Sequence, residues 1–152
     1  MNKKNNIITT NKKASFSYQL SDFFTCGIQL KGSEIKSIRF KQVNISESYC
    51  IIEDNEVWVK NMDIARYKFC TEDTYNPKKT RKLLLKKIEI NKINKNLNEK
   101  GMSLIPTKLF INDTGLAKLE IAIGKGKKIY DKRESIKKAD AQREMQRKKR
   151  EK

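Results

Sequence analysis

The last 28 residues of this chain cannot bury a core of their own, and that divides the sequence before any motif is read. Residues 125–152 hold 13 Lys/Arg and five Asp/Glu, a net charge of +8, against four large apolar side chains, Ile129, Tyr130, Ile136 and Met145. So little apolar surface cannot offset the entropy of ordering the segment. Residues 1–124 hold 22 basic and 13 acidic side chains, a net of +9. Their length suits one domain. The boundary is expected at Gly124-Lys125-Gly126, where two glycines flank a charge. This gives a body at 1–124, with 1–12 expected to be flexible, and a basic tail at 125–152.

The whole chain carries +17 and a sequence pI near 9.8, which points to a polyanionic partner. Nucleic acid is the favoured polyanion, and an acidic membrane surface is the rival. No polybasic stretch is joined to an aromatic amphipathic face, and no apolar run approaches the roughly 20 residues of a membrane span. The start, MNKKNNIITTNKK, has no apolar stretch of the kind a signal peptide needs. Of the 35 basic residues 28 are Lys and seven are Arg, a balance suited to phosphate contacts more than to base reading.

Histidine is absent altogether, which removes the commonest acid/base group and most zinc sites. The carboxylates Glu34, Glu47, Glu53, Asp54 and Glu56 stand beside turns or lysines rather than in paired sets. The chain therefore reads as a non-enzyme with no cofactor and no metal site. Cys26, Cys50 and Cys70, odd in number and widely spaced, read as buried reduced thiols of a cytoplasmic protein.

The body reads mainly as short strands. Phe16, Tyr18 and Leu20 alternate with polar residues, and so do Cys26, Ile28 and Leu30. Tyr49–Ile52 and Val57–Val59 flank the turn residues Asp54-Asn55, which predicts a hairpin. Met102–Ile111 and Leu116–Ile123 flank Asn112-Asp113-Thr114-Gly115, which predicts a second. In its last strand Leu119, Ile121 and Ile123 share one face, with Lys118 and Glu120 on the other. Between the hairpins a helix is expected to open at Asn76-Pro77, run through Leu84, Ile88, Ile90, Ile93 and Leu97, and close at Gly101. Residues 33–39 read as a short helix capped by Ser33 or, about equally well, as a strand. Five or six strands with one to three outer helices suggest a small closed antiparallel OB-like β-barrel.

Two basic clusters invite a functional reading. Lys78, Lys79, Arg81, Lys82, Lys86 and Lys87 crowd the expected helix start, where a helix N-terminus attracts anions; a solvated helix face fits as well. Gly124 to Lys128 reads either as a flexible basic joint or as a backbone-plus-lysine phosphate clamp. Among the aromatic residues Tyr18, Phe23, Phe24, Tyr49, Trp58, Tyr67, Phe69 and Tyr75, most belong to the core or its rim, and a few exposed ones would suit base stacking. The tail has helix-forming signals without an apolar stripe. Asp131 and Glu134 make a capping box, and Glu134/Lys138 and Glu144/Lys148 are favourable pairs worth about 0.3 kcal/mol each.

Four motifs in order resemble one family. Gly27-Ile28-Gln29-Leu30-Lys31-Gly32-Ser33-Glu34-Ile35-Lys36-Ser37-Ile38-Arg39 resembles the G-I-x-L-x-G-x-E-V-K-S-L-R segment of the SsrA-binding proteins (small protein B, SmpB). Asn44-Ile45-Ser46-Glu47-Ser48-Tyr49, Thr80-Arg81-Lys82-Leu83-Leu84-Leu85 and Gly126-Lys127-Lys128-Ile129-Tyr130-Asp131-Lys132-Arg133 resemble its later motifs. Lys41 departs, standing where the family usually has Gly. The resemblance implies a monomeric β-barrel that binds transfer-messenger RNA through its tRNA-like domain. It also implies a tail that is unstructured when free and folds as a helix in the ribosomal decoding centre and message channel, during the rescue of stalled ribosomes by trans-translation. By motif position, Glu34, Lys36, Arg39, Asn44, Arg81, Lys82, Ile93, Lys118 and Lys125 are expected to bind RNA. Lys127, Lys128, Tyr130, Asp131, Lys132 and Arg133 are expected to act in the small-subunit decoding centre.

Overall fold

The computed structural model describes residues 6–127 and 129–150. Among them run β1 (Asn6–Thr10), α1 (Lys12–Ser17), β2 (Tyr18–Ile28), α2 (Gly32–Arg39), β3 (Val43–Asn44), β4 (Tyr49–Glu53), β5 (Glu56–Lys60), β6 (Asp63–Ile64), β7 (Arg81–Leu84), α3 (Lys87–Leu97), β8 (Met102–Ile111), β9 (Ala117–Gly126) and α4 (Ile129–Arg150). The fold is mainly β with a few helices. Every strand pair is antiparallel. The pairings run β8–β4–β5–β7–β2–β9, and β9 pairs back to β8, so they form a ring. β1 adds to the second half of β8, and β3 and β6 form a separate short pair.

Both hairpins stand where local turn chemistry put them. Asp54 and Asn55 adopt φ of 53° and 60°, the left-handed pair that joins β4 to β5 in register. In the second turn Asn112 Oδ1 accepts from the Thr114 and Leu116 amides at 3.2 and 2.8 Å, and Gly115 takes φ of 85°. Leu119, Ile121 and Ile123 are fully buried, as the alternation of β9 predicts. They join Ile38, Met62, Ile64, Leu83, Ile93, Leu104 and Leu109 in one core. Burying each such side chain contributes about 1.5–3 kcal/mol.

Several expectations are corrected. The two alternating stretches near the start are one strand, β2, bulged at Asp22 (φ 48°), while Phe16 belongs to α1. Residues 6–12, expected to be flexible, hold β1 and the opening of α1; residues 1–5 lie outside the described residues. Asn11 anchors this region. It is buried, donates from Nδ2 to the Pro106 carbonyl at 2.9 Å, and accepts from the Ala14 amide at 3.3 Å. The helix expected from Asn76 begins only at Lys87, and Arg81–Leu84 is a strand between β5 and β2. Asn76 does form a side-chain turn, accepting from the Lys78 amide at 3.1 Å, but no helix follows it. A helix cap and a turn begin alike, and pairing with two distant strands outweighs the local signal.

The ambiguous segment 33–39 lies in helix α2. Lys41, in the family's Gly position, takes φ of 60° just after it. Gly124-Lys125-Gly126 is no joint: it ends β9, opposite Leu20, Gln19 and Tyr18 of β2. A Cβ at Gly124 would meet Tyr18 Cβ at 3.0 Å and Leu20 Cδ2 at 3.2 Å, so the glycine permits close packing there. Cys26 and Cys50 are buried, but Cys70 is half-exposed. Burial pushes the Cys26 thiol up to about 12. None of the described helices is long and apolar enough to cross a membrane.

Candidate nucleic-acid interface

The motif carrying Glu34 and the motif carrying Arg81 meet inside the protein. Glu34 sits in the first turn of α2 and Arg81 opens β7; they are 1% and 2% exposed. Arg81 Nε donates to Glu34 Oε2 at 2.5 Å, and Arg81 Nη1 and Nη2 donate to the carbonyls of Met62 (2.6 Å) and Pro77 (3.0 Å). The other carboxylate oxygen accepts from the Lys31 amide at 3.0 Å and pairs with Lys79 Nζ at 3.1 Å. Burial would raise the Glu34 pKa, but the Lys31 amide and the Arg81 guanidinium outweigh it and hold the carboxyl below its ordinary range. A satisfied pair of this kind joins α2, the link between β5 and β6, the 65–80 loop and β7 at one point.

The expectation that Glu34, Arg81 and Ile93 contact RNA directly is therefore corrected. All three are buried, Ile93 in the core face of α3. Glu34 and Arg81 instead tie the first turn of α2 to β7 and to the carbonyls of Met62 and Pro77. Lys36 and Arg39 project from the same helix and are exposed. Asn44, exposed at the end of β3, uses its Oδ1 to accept from the Ser46 amide at 2.8 Å and hydroxyl at 2.7 Å, so it shapes the turn that follows. Lys82 is half-buried and paired with Glu56 at 3.5 Å. Lys118 is half-buried on β9, and Lys125 is exposed near its end. These two are not brought to the Glu34–Arg81 junction by any described contact.

The tail also departs in part from its expected division. Lys127 is fastened to the body: its amide donates to the Ser17 carbonyl at 2.9 Å and its ammonium to the Ser15 carbonyl at 3.0 Å. From Ile129 to Arg150 the chain is helical. Arg133 and all of residues 136–147 are exposed, so no core holds this stretch of the helix. Lys128 lies outside the described residues, as do the side chains of Tyr130, Asp131 and Lys132.

One surface feature escaped the sequence reading. At the end of α2 Phe40 stacks on Tyr67, with ring centroids 6.5 Å apart and planes 11° apart. Tyr67 meets Phe69 edge-on at 5.6 Å. Lys36 Nζ lies 5.5 Å from the centre of the Tyr67 ring, and Lys68 Nζ lies 4.8 Å from that of Phe69. Phe40 went unnoticed because nothing in a linear sequence shows that it lies beside Tyr67.

Among the described residues no group of three or more His, Cys, Asp or Glu could hold a metal ion. The arrangement offers fixed cations and exposed rings, the chemistry of RNA binding.

Comparisons with known proteins agree. The family model described as SmpB protein matches residues 8–151. The SsrA-binding protein of Parabacteroides distasonis is 50% identical over 143 residues, covering 94% of each chain. That of Cytophaga hutchinsonii is 49% identical over 142 residues, covering 93% of each. A solved structure described as "tmRNA-SmpB: a journey to the center of the bacterial ribosome" contains a chain 33% identical to this one, with a TM-score of 0.68 over 84% of this chain and 93% of that one. With the family model matched along residues 8–151 and two of the motifs joined at the Glu34–Arg81 pair, this chain belongs to the SmpB protein family.

Proposed function

We propose that this protein binds transfer-messenger RNA (SsrA RNA) and delivers it to stalled ribosomes for trans-translation. The observation that carries the reading is the family match along residues 8–151, with relatives named as SsrA-binding proteins over nearly their full length. The body holds the RNA's tRNA-like domain, with Lys36 and Arg39 on α2 as its leading contacts and Lys82, Lys118 and Lys125 as further cations. In this reading the ring of pairings is a closed OB-like barrel, and it is the rigid platform. The protein acts in the cytoplasm as a monomer, without catalysis or cofactor.

The tail is the ribosomal element. With a net of +8 over residues 125–152, and with Arg133 and residues 136–147 exposed, α4 meets the body at α1 alone among the described contacts, too little to hold it folded in water. Ribosomal phosphates supply that partner: they neutralise its lysines and arginines and hold the helix in the decoding centre, with Tyr130, Asp131, Lys132 and Arg133 at its start.

The test is a pair of chains, full length and stopped after Lys127. The stop belongs there because Lys125 and Gly126 still pair within the sheet, and Lys127 fastens to α1. The shortened protein is expected to bind transfer-messenger RNA within about twofold of the full chain and to lose tagging of stalled products. Loss of RNA affinity on the scale of a body variant would overturn the division of labour.

A further inference from the structure

The Phe40–Tyr67–Phe69 cluster is an aromatic surface in which both phenylalanine rings stand largely exposed. Phe40 and Phe69 are each 68% exposed. The three rings are contiguous: one pair is nearly parallel and the next is edge-on. Beside them lies a groove of about 420 Å³ between the start of α2 and the 67–72 loop, with Lys31, Lys36 and Tyr67 in its lining. Glu72, also in the lining, is held by Lys31 through both its oxygens at 2.9 and 3.0 Å.

We propose that this cluster is a stacking seat for an unpaired nucleotide of the RNA partner. Its base stacks on the open face of Phe69 and meets Phe40 at its edge, and its flanking phosphates meet Lys36, Arg39 and Lys68. The proposal rests on the RNA-binding reading above and deepens it by naming what the surface takes.

Three observations favour a nucleotide. The rings offer π-faces, which every base can use. Lys36 and Lys68 each sit over one ring, so a base taking an open ring face brings its phosphates within reach of them, and an apolar protein side chain would leave them unmatched. The seat is also pre-organised. Glu34 and Arg81 lock α2, the Tyr75 hydroxyl donates to the Ile64 carbonyl at 2.8 Å, and the Cys70 amide donates to the Tyr67 carbonyl at 2.9 Å. Binding there orders little that is not already ordered. Only an unpaired base fits the scheme, because a paired one keeps its faces within the duplex.

The test uses the full chain, its Phe69→Ala, Phe40→Ala and Phe69→Trp variants, and two probes. One probe is a short single-stranded RNA carrying 2-aminopurine, whose fluorescence falls on stacking; the other is transfer-messenger RNA. Both Ala variants are expected to lose about 5- to 100-fold in affinity for the oligonucleotide, together with the quench. The dependence on salt should stay unchanged, because no phosphate contact is removed. Phe69→Trp should restore both affinity and quench. Lys68→Ala should instead flatten the salt slope by about 0.7. If both Ala variants quench and bind like the parent while the parent binds transfer-messenger RNA, the seat is wrong and the functional reading stands. A parent that binds neither RNA overturns both.

Discussion

Arg81 Nε donates to Glu34 Oε2 at 2.5 Å across 47 residues of sequence, and neither side chain reaches solvent. The pair is held by carbonyls of Met62 and Pro77 on one side and the Lys31 amide on the other. Buried pairs are costly to form and more costly to break singly, because the surviving charge keeps its desolvation penalty.

Glu34→Gln is therefore expected to destabilise the protein by about 3–5 kcal/mol, read by urea denaturation. Adding Arg81→Met to it should cost far less than the sum of the two single changes. The Glu34 pKa is lowered on folding from its ordinary value of 4.5. Its contribution is thus complete above that value and is lost as pH falls through the lower folded one. The parent should lose more stability than the double variant on acidification through this window. Equal acid sensitivity would show that the pair does not act through its charge.

Lys41 occupies a left-handed conformation, φ 60°, directly after α2. Lys41→Gly removes a Cβ clash but adds freedom to the unfolded chain. The net gain should be about 0.5–1 kcal/mol, a rise in Tm of about 1–4 °C. A lower Tm would mean that the Lys side chain makes a compensating contact.

Gly124→Ala places a methyl group 3.0 Å from Tyr18 Cβ, 3.2 Å from Leu20 Cδ2 and 3.3 Å from Ile105 Cδ1. The expected loss is about 1–3 kcal/mol, seen in thermal melts. At Gly126, where no atom lies within 4 Å of an added Cβ, the same change should be nearly silent. Equal tolerance at both sites would return residues 124–126 to the role of a loose joint.

Cys70 is the thiol expected to react. The Glu72 amide donates to its sulfur and holds its pKa below the ordinary 9.0, so its thiolate fraction rises at lower pH than that of free cysteine. Burial raises Cys26 and Cys50 in the opposite direction. Iodoacetamide should label one site in the native protein, with a midpoint below that of free cysteine, and all three after unfolding. Native labelling of Cys26 or Cys50 would contradict their burial.

Sequence alone determined the features whose causes are local. The turn residues Asp54-Asn55 and Asn112–Gly115 carry their own backbone preferences, so both hairpins were legible, and so was the buried face of β9. Composition also implied that residues 125–152 bury no core of their own, because four large apolar side chains cannot form one. The family was legible too, since its motifs are runs of adjacent residues. The tertiary structure decided everything that depends on distant partners. Residues 81–84 look helical in isolation and become a strand because β5 and β2 offer hydrogen bonds on both sides. Glu34, Arg81 and Ile93 look like surface contacts and are buried because their partners arrive from other segments. Phe40 acquires meaning only beside Tyr67. Burial and long-range pairing are properties of the closed chain, and no window of neighbouring residues contains them.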